Sequence, residues 1–179
     1  MDSINKNQPE DNQKDLLGKA AVEKIQELGE SANTCFFCTN IKTGKQFATR
    51  PMSVQKIDDK GNFWFLSAAD SHKNAEIAKD SAVQLLFQGS KYSEFLNIYG
   101  DATISKDKAK IEEFWGPILK AWFTEGQDDP RITVIKVTPT EGYYWDNKHG
   151  NAVAFVKTAV GAMLGKTMDD SVEGTLKMK

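Results

Sequence analysis

Seven short strand-like runs, separated by turn signals and interrupted by few helical patterns, most constrain how this chain folds. They cover about residues 33–39, 45–50, 52–58, 62–67, 82–88, 92–103 and 131–145. Ile41-Lys42-Thr43-Gly44 joins the first two, with Gly44 free to take positive φ. Asp58-Asp59-Lys60-Gly61-Asn62 is the second strong turn. Pro139 cannot donate to a ladder, so it marks a bulge or an edge within the last run. Strands this short and numerous favour a small closed or half-closed sheet over a layered parallel one.

Helical spacing appears in few places. Leu17, Ala21, Ile25 and Leu28 predict a helix over 14–29, with Gly29 at its end. Ser71 is placed to cap a helix over 72–79. Ser105 is placed to cap one over 106–114, with Asp107 in the first turn and a short helical piece continuing to Trp122. Ala152, Phe155, Val156, Ala159, Val160 and Met163 predict a helix over 151–164 that Gly165 closes. Residues 1–13 are polar and expected to be disordered, 14–165 form one domain, and 166–179 read as a polar C-terminal tail. The class is α+β, a small β-barrel with helices outside it.

Composition excludes several functions. A net charge of −2 over 179 residues gives no bulk attraction for nucleic acid or an anionic membrane. The N-terminus has no apolar segment of a secretory signal, and no apolar run approaches the length of a membrane span. Cys35 and Cys38 are the only cysteines and sit in a strand-like context. Residues three apart on a strand face opposite sides, so free thiols in a cytoplasmic protein are expected, rather than a disulfide or half a zinc site. His72 and His149 have no metal-ligand spacing.

Two short motifs carry chemistry. Arg50-Pro51-Met52-Ser53 follows one strand-like run, and Ser71-His72-Lys73 follows another that ends at Ser67. Together they place two cations and several hydroxyls about twenty residues apart, able to grip one phosphate from two directions. A bound phosphate would also compensate Lys73, which is unfavourable at a helix start. Ser53 and Gln55 alternate on the strand after Pro51 and project toward the same ligand. Neither a Rossmann nor a P-loop glycine pattern is present, so side chains and helix ends must build the site. A solvated arginine and an ordinary cap explain each motif equally well when taken singly.

Trp115, Trp122, Tyr143 and Trp145 offer flat surfaces for a ring system, or ordinary core and interface packing. Asp128-Asp129-Pro130 reads as a solvated turn. No Ser-His-acid triad or general-base pair stands out, so any redox chemistry belongs to a cofactor.

The order of these motifs resembles the pyridoxamine 5'-phosphate oxidase-like proteins with the FMN-binding split β-barrel, in the branch of general stress protein 26. The stretches that carry the resemblance are Phe47-Ala-Thr-Arg-Pro-Met52, Phe65-Leu-Ser67 with Ser71-His-Lys73, Trp122-Phe with Gly126-Gln-Asp-Asp-Pro130, and Tyr144-Trp-Asp146. It implies FMN as cofactor, with Arg50 and Lys73 on its phosphate and Ser67 and Ser71 adding hydrogen bonds. Leu66 and His72 flank that grip, and Met52, Ser53 and Gln55 run beside the flavin ring. Trp145 would approach the flavin from the second subunit of a homodimer, and Trp122 would lie near the ring. No arginine follows Arg131, and His149 stands alone where the oxidases carry an Arg-His-Arg grip on substrate. Oxidation of pyridoxamine phosphate is therefore not expected. Two readings stay open: a flavin-dependent oxidoreductase of unknown substrate, and a non-catalytic dimeric binder or sensor of another flavin or of haem.

Overall fold

The computed structural model describes residues 11–179 apart from Thr43, Lys45 and Tyr92. Most of the segment expected to be disordered, 1–10, and the first run's turn at Thr43 lie outside the described residues. Among the described residues, nine strands and four α-helices follow in the order β1 (Leu16–Leu17), α1 (Lys19–Ala32), β2 (Thr34–Thr39), β3 (Ala48–Ser53), β4 (Lys56–Ile57), β5 (Phe63–Ala68), α2 (His72–Ile77), β6 (Ala82–Gln88), β7 (Phe95–Ser105), α3 (Lys108–Phe114), β8 (Ile132–Asn147), α4 (Asn151–Leu164) and β9 (Ser171–Lys177). Two 3₁₀ turns, Pro117–Ala121 and Gly126–Asp128, lie between α3 and β8.

The strands form one sheet in the order β1-β9-β8-β7-β6-β2-β3, with β4 and β5 branching from β8. The branch defines the fold. The edge of β8 opposite β7 pairs with β5 over Ile132–Val137 and with β9 over Glu141–Asn147. The exchange falls at Pro139, where Tyr99 faces Glu141 but Gly100 faces Pro139, leaving Thr140 as the extra residue of a bulge. A residue without an N–H suits the point where the ladder changes partner.

Alternation along β5 and β8 divides the apolar side chains between two cores. Phe63, Phe65, Ile135 and Val137 point into the barrel with Phe37, Leu85, Ile98 and Tyr144, and Ala21, Ile25 and Leu28 of α1 close it. Leu66, Ile132 and Val134 point the other way, against Ile111 and Phe114 of α3 and Phe123.

Local differences from the expected elements have simple causes. Gly29 does not end α1. It lies buried where a Cβ would stand 2.4 Å from Ile57 Cδ1, and Asn33, at φ 58°, ends the helix instead. Asp107 rather than Ser105 caps α3, accepting from the Lys110 N–H at 3.2 Å. Asp129 is buried and held by Arg131, with Oδ2 2.6 Å from Nη2, so only Asp128 is the solvated turn residue expected of the pair. Residues 166–179, expected as a tail, supply β9, which brings fully buried Leu176 into the barrel. Cys35 and Cys38 are free thiols, and burial pushes the Cys35 thiol up, out of the reactive range. Among the described residues, no helix is long and apolar enough to cross a membrane.

Candidate functional site

β5 ends on Ser67, whose parity with Phe63 and Phe65 turns its hydroxyl inward. A tight turn follows, with the Ser71 N–H donating to the Ala68 carbonyl at 3.0 Å. Ser71 then caps α2 by accepting from the Asn74 N–H at 3.2 Å. The first turn of α2 faces Lys73 and Asn74 inward and leaves His72 exposed.

These inward groups form one polar cluster. Lys73 Nζ donates to Ser67 Oγ at 2.5 Å, and Ser67 Oγ donates to Asn74 Oδ1 at 2.9 Å. The Asn74 amide donates to Thr133 Oγ1 at 2.8 Å, and Thr133 Oγ1 donates to the Ser67 carbonyl at 2.9 Å. Ser71 Oγ lies 3.2 Å from Ser67 Oγ.

A second group adjoins it across β2 and β3. Arg50 lies opposite Phe37, on the inward side of β3. Its Nη1 donates to Glu76 Oε2 of α2 at 2.8 Å and to Thr39 Oγ1 at 3.0 Å, while Thr39 Oγ1 donates to the same carboxylate at 2.5 Å. Burial would raise the Glu76 carboxyl, but those hydrogen bonds and the charges of Arg50 and His72 outweigh it and hold it below the usual range.

Lys73 differs from its neighbours. It is only 7% exposed, and no carboxylate among the described residues forms an ion pair with it. Burial and the nearby Arg50 charge, partly offset by Glu76, bring its ammonium down to about 8. A buried ammonium whose hydrogen-bond partner is a neutral hydroxyl is costly. Two cations close enough to disfavour each other form a site that an anion would relieve.

The remaining expected site residues fall into three groups. Met52, Ser53 and Gln55 line β3 and the turn after it, and β3 stands at one end of the strand order, paired among the described residues only with β2. Met52 packs against the barrel core, Ser53 is exposed, and Gln55 Nε2 donates to the Ser53 carbonyl at 3.2 Å. Leu66 turns its side chain into the second core, on the face of β5 opposite Ser67. Trp122 is exposed beside Phe123 of that same core and is not joined to the cluster. Trp145 lies twelve residues along β8 from Thr133, roughly 40 Å of strand, on the outward face beside Tyr143.

Asn74, Thr133, Thr39 and Glu76 are the residues that reading the sequence missed. Asn74 alone carried a signal, as a polar residue three positions beyond a cap. His149, alone in sequence, is engaged by Asp170, whose Oδ1 lies 2.7 Å from Nδ1.

The family model described as pyridoxamine 5'-phosphate oxidase like matches residues 20–169, and the chain belongs to that family. Among solved structures, it is similar to a protein of Jannaschia sp. CCS1 described as general stress protein 26. That likeness has 25% identity and a TM-score of 0.71, and covers 89% of this chain and 99% of that one. General stress protein 26 of Bacillus anthracis str. Sterne matches at 25% identity and a TM-score of 0.60, over 69% of this chain and 92% of that one. A general stress FMN/FAD binding protein of Xanthomonas citri shares the fold at 23% identity and a TM-score of 0.57, over 66% of this chain and 83% of that one. Protein bli-3 of Neurospora crassa is 25% identical over 134 residues, 70% of this chain but 64% of its own length. The fold is thus the split barrel of that family, in company with general stress proteins.

Proposed function

We propose that this chain binds flavin mononucleotide, with the phosphate on Lys73 and Arg50 and hydrogen bonds from Ser67 and Ser71. The observation that carries the reading is Lys73, buried beside a second cation and bonded to a hydroxyl instead of a carboxylate. The donor set suits a phosphate: one guanidinium, one ammonium and two hydroxyls at the inner end of β5. The free edge of β3 at Met52 and Ser53 leaves backbone groups for the rim of a flat ring. The family and a fold neighbour described as FMN/FAD binding are in keeping with this reading.

The site takes two copies of the chain. Trp145 is too far along β8 to reach its own cluster, but a homodimer through the outward sheet face would bring it to the partner's. That face carries Pro51, Phe36 and Leu86 in one cross-strand row, with Phe95 and Trp145 paired beyond it. Bound flavin would supply electron transfer. Lys73, Arg50, Ser67 and Ser71 would hold its phosphate, and the edge of β3 at Met52 and Ser53 would lie beside its ring. The protein fits a flavin-dependent oxidoreductase of cytoplasmic stress-response type that does not act on pyridoxamine phosphate.

Purified protein mixed with FMN and desalted tests the reading by its absorbance between 300 and 600 nm. Retained flavin bands, one per chain, are expected. A flat spectrum after reconstitution would remove the flavin assignment and leave the fold.

A further inference from the structure

α4 turns its apolar side away from the protein. With 100° between successive residues, Phe155, Val156, Val160, Met163 and Leu164 share one broad arc, and that arc is exposed, Phe155 by 74% and Met163 by 87%. Only Gly161 of the helix is buried, pressed so closely on the following loop that a Cβ would stand 2.6 Å from the Lys166 carbonyl. Lys157, at the margin of that arc, donates to buried Asp170 at 2.6 Å. A surface helix ordinarily does the reverse, with its apolar stripe inward. An exposed apolar patch of this kind calls for a cover.

The helix is held in place. Asn151 Oδ1 accepts from Ser93 Oγ at 2.5 Å and from the Asn147 amide at 2.6 Å, and its own amide donates to Glu94 at 3.1 Å. Asp170 accepts from the His149 N–H as well as from Lys157. These bonds tie the start of α4 to the loop before β7 and to the end of β8, and Lys157 to the segment before β9. Ser93 lines the same hollow as Phe95 and Trp145, and the face continues through a groove lined by Leu86, Phe36 and Pro51. A surface that meets Trp145 therefore meets Asn151 at the start of α4. No Asp or Glu occurs between Asp146 and Asp169, so burying this stretch strands no carboxylate. At 14 residues, α4 is too short to span a bilayer.

We propose that α4 of each copy docks on the second copy of this chain and forms an apolar wall beside the partner's flavin. The proposal rests on the dimeric flavin reading above. Phe155, Val156 and Met163 then help select the substrate, an uncharged and largely hydrophobic small molecule rather than a phosphorylated one. Two-fold symmetry makes the wall reciprocal.

The test compares the wild type with Phe155→Glu/Val156→Glu and, as a milder change, Phe155→Ser/Met163→Ser. All four side-chain changes are at exposed positions, and circular dichroism and thermal unfolding verify the fold. Sedimentation equilibrium and iodide quenching of bound FMN are the readouts. The expected result is a dimer dissociation constant at least tenfold weaker and a quenching constant at least threefold larger in the variants. Dimers of unchanged affinity with equally shielded flavin would overturn the docking of α4 while leaving the flavin reading intact. A wild type that dimerises through α4 without retaining FMN would overturn the flavin wall and the reading beneath it, leaving self-association alone. A monomeric wild type that floats with phosphatidylglycerol vesicles, and ceases to do so in the Glu variant, would overturn the proposal in favour of a lipid surface.

Discussion

Lys73 donates to Ser67 Oγ across 2.5 Å, from a position buried in the protein and beside the charge of Arg50. That relationship costs the ligand-free fold and becomes favourable when an anion arrives. Lys73→Met keeps most of the length of the side chain and removes the charge. It is expected to stabilise the ligand-free protein by about 1–3 kcal/mol, while weakening FMN by a similar ~1–3 kcal/mol. Thermal unfolding and a flavin titration of the same sample test both halves. A lower melting temperature would mean that Lys73 is structural.

The same group sets a pH dependence. Its folded value of about 8 lies below the ordinary lysine value, because burial and then Arg50 disfavour the charge. Between about 8 and 10.5 the unfolded chain binds more protons than the folded one, so this group makes ligand-free stability rise with pH across that window. A bound phosphate favours the ammonium, so binding takes up a proton above about pH 8 and affinity falls there. Below about pH 6 the phosphate itself loses its second charge. Affinity is therefore expected to be greatest between these limits. A titration in buffers from pH 5.5 to 9.5 measures it, and affinity still rising at pH 9 would contradict the assignment.

Glu76 opposes the ligand that its neighbours favour. Its carboxylate occupies Arg50 Nη1 at 2.8 Å. Glu76→Gln retains a hydrogen-bond partner and removes the negative charge. FMN binding at pH 6.5 should tighten by about 1 kcal/mol, the scale of a partly exposed charge pair. The Lys73 titration should also move lower, because Glu76 supports its charge. Weaker binding would assign Glu76 to orienting Arg50.

The C-terminal strand should matter to stability as much as any core strand. Gly174 lies so close to the N-terminal segment that a Cβ would stand 2.1 Å from the Lys14 carbonyl. Gly174→Ala must displace that segment or β9, which carries buried Leu176. A loss of about 1–3 kcal/mol is expected in urea unfolding. An unchanged midpoint would show that β9 contributes little to the cooperative unit.

Much of the fold is legible in the sequence where a pattern repeats. The bounds of β6 and α4 agree with spacing alone, and Pro139 marks the bulge where β8 changes partners. β9 escapes notice because Gly174 interrupts its apolar alternation, and the close approach of Lys14 that demands a glycine is a long-range contact. Arg50, Lys73, Ser67 and Ser71 are brought together as their spacing suggests. The Arg50–Glu76 pair is not readable, because it joins β3 to α2 through tertiary packing. Trp122 lies exposed beside the second core, away from the cluster of its own chain, because its place in the sequence does not say which face of β5 it will lie beyond. The outward apolar side of α4 looks in sequence like an ordinary buried stripe, since periodicity reports a face but not its direction.

The most direct measurement compares FMN with riboflavin, which carries the same ring without the phosphate, on wild type and on Lys73→Met. The account predicts that the wild type prefers FMN by about 100-fold, on the order of two charge-assisted hydrogen bonds, and that Lys73→Met loses about tenfold or more of that preference with riboflavin affinity unchanged. Equal affinity of the wild type for the two flavins would place the phosphate away from Lys73 and contradict the assignment of this site.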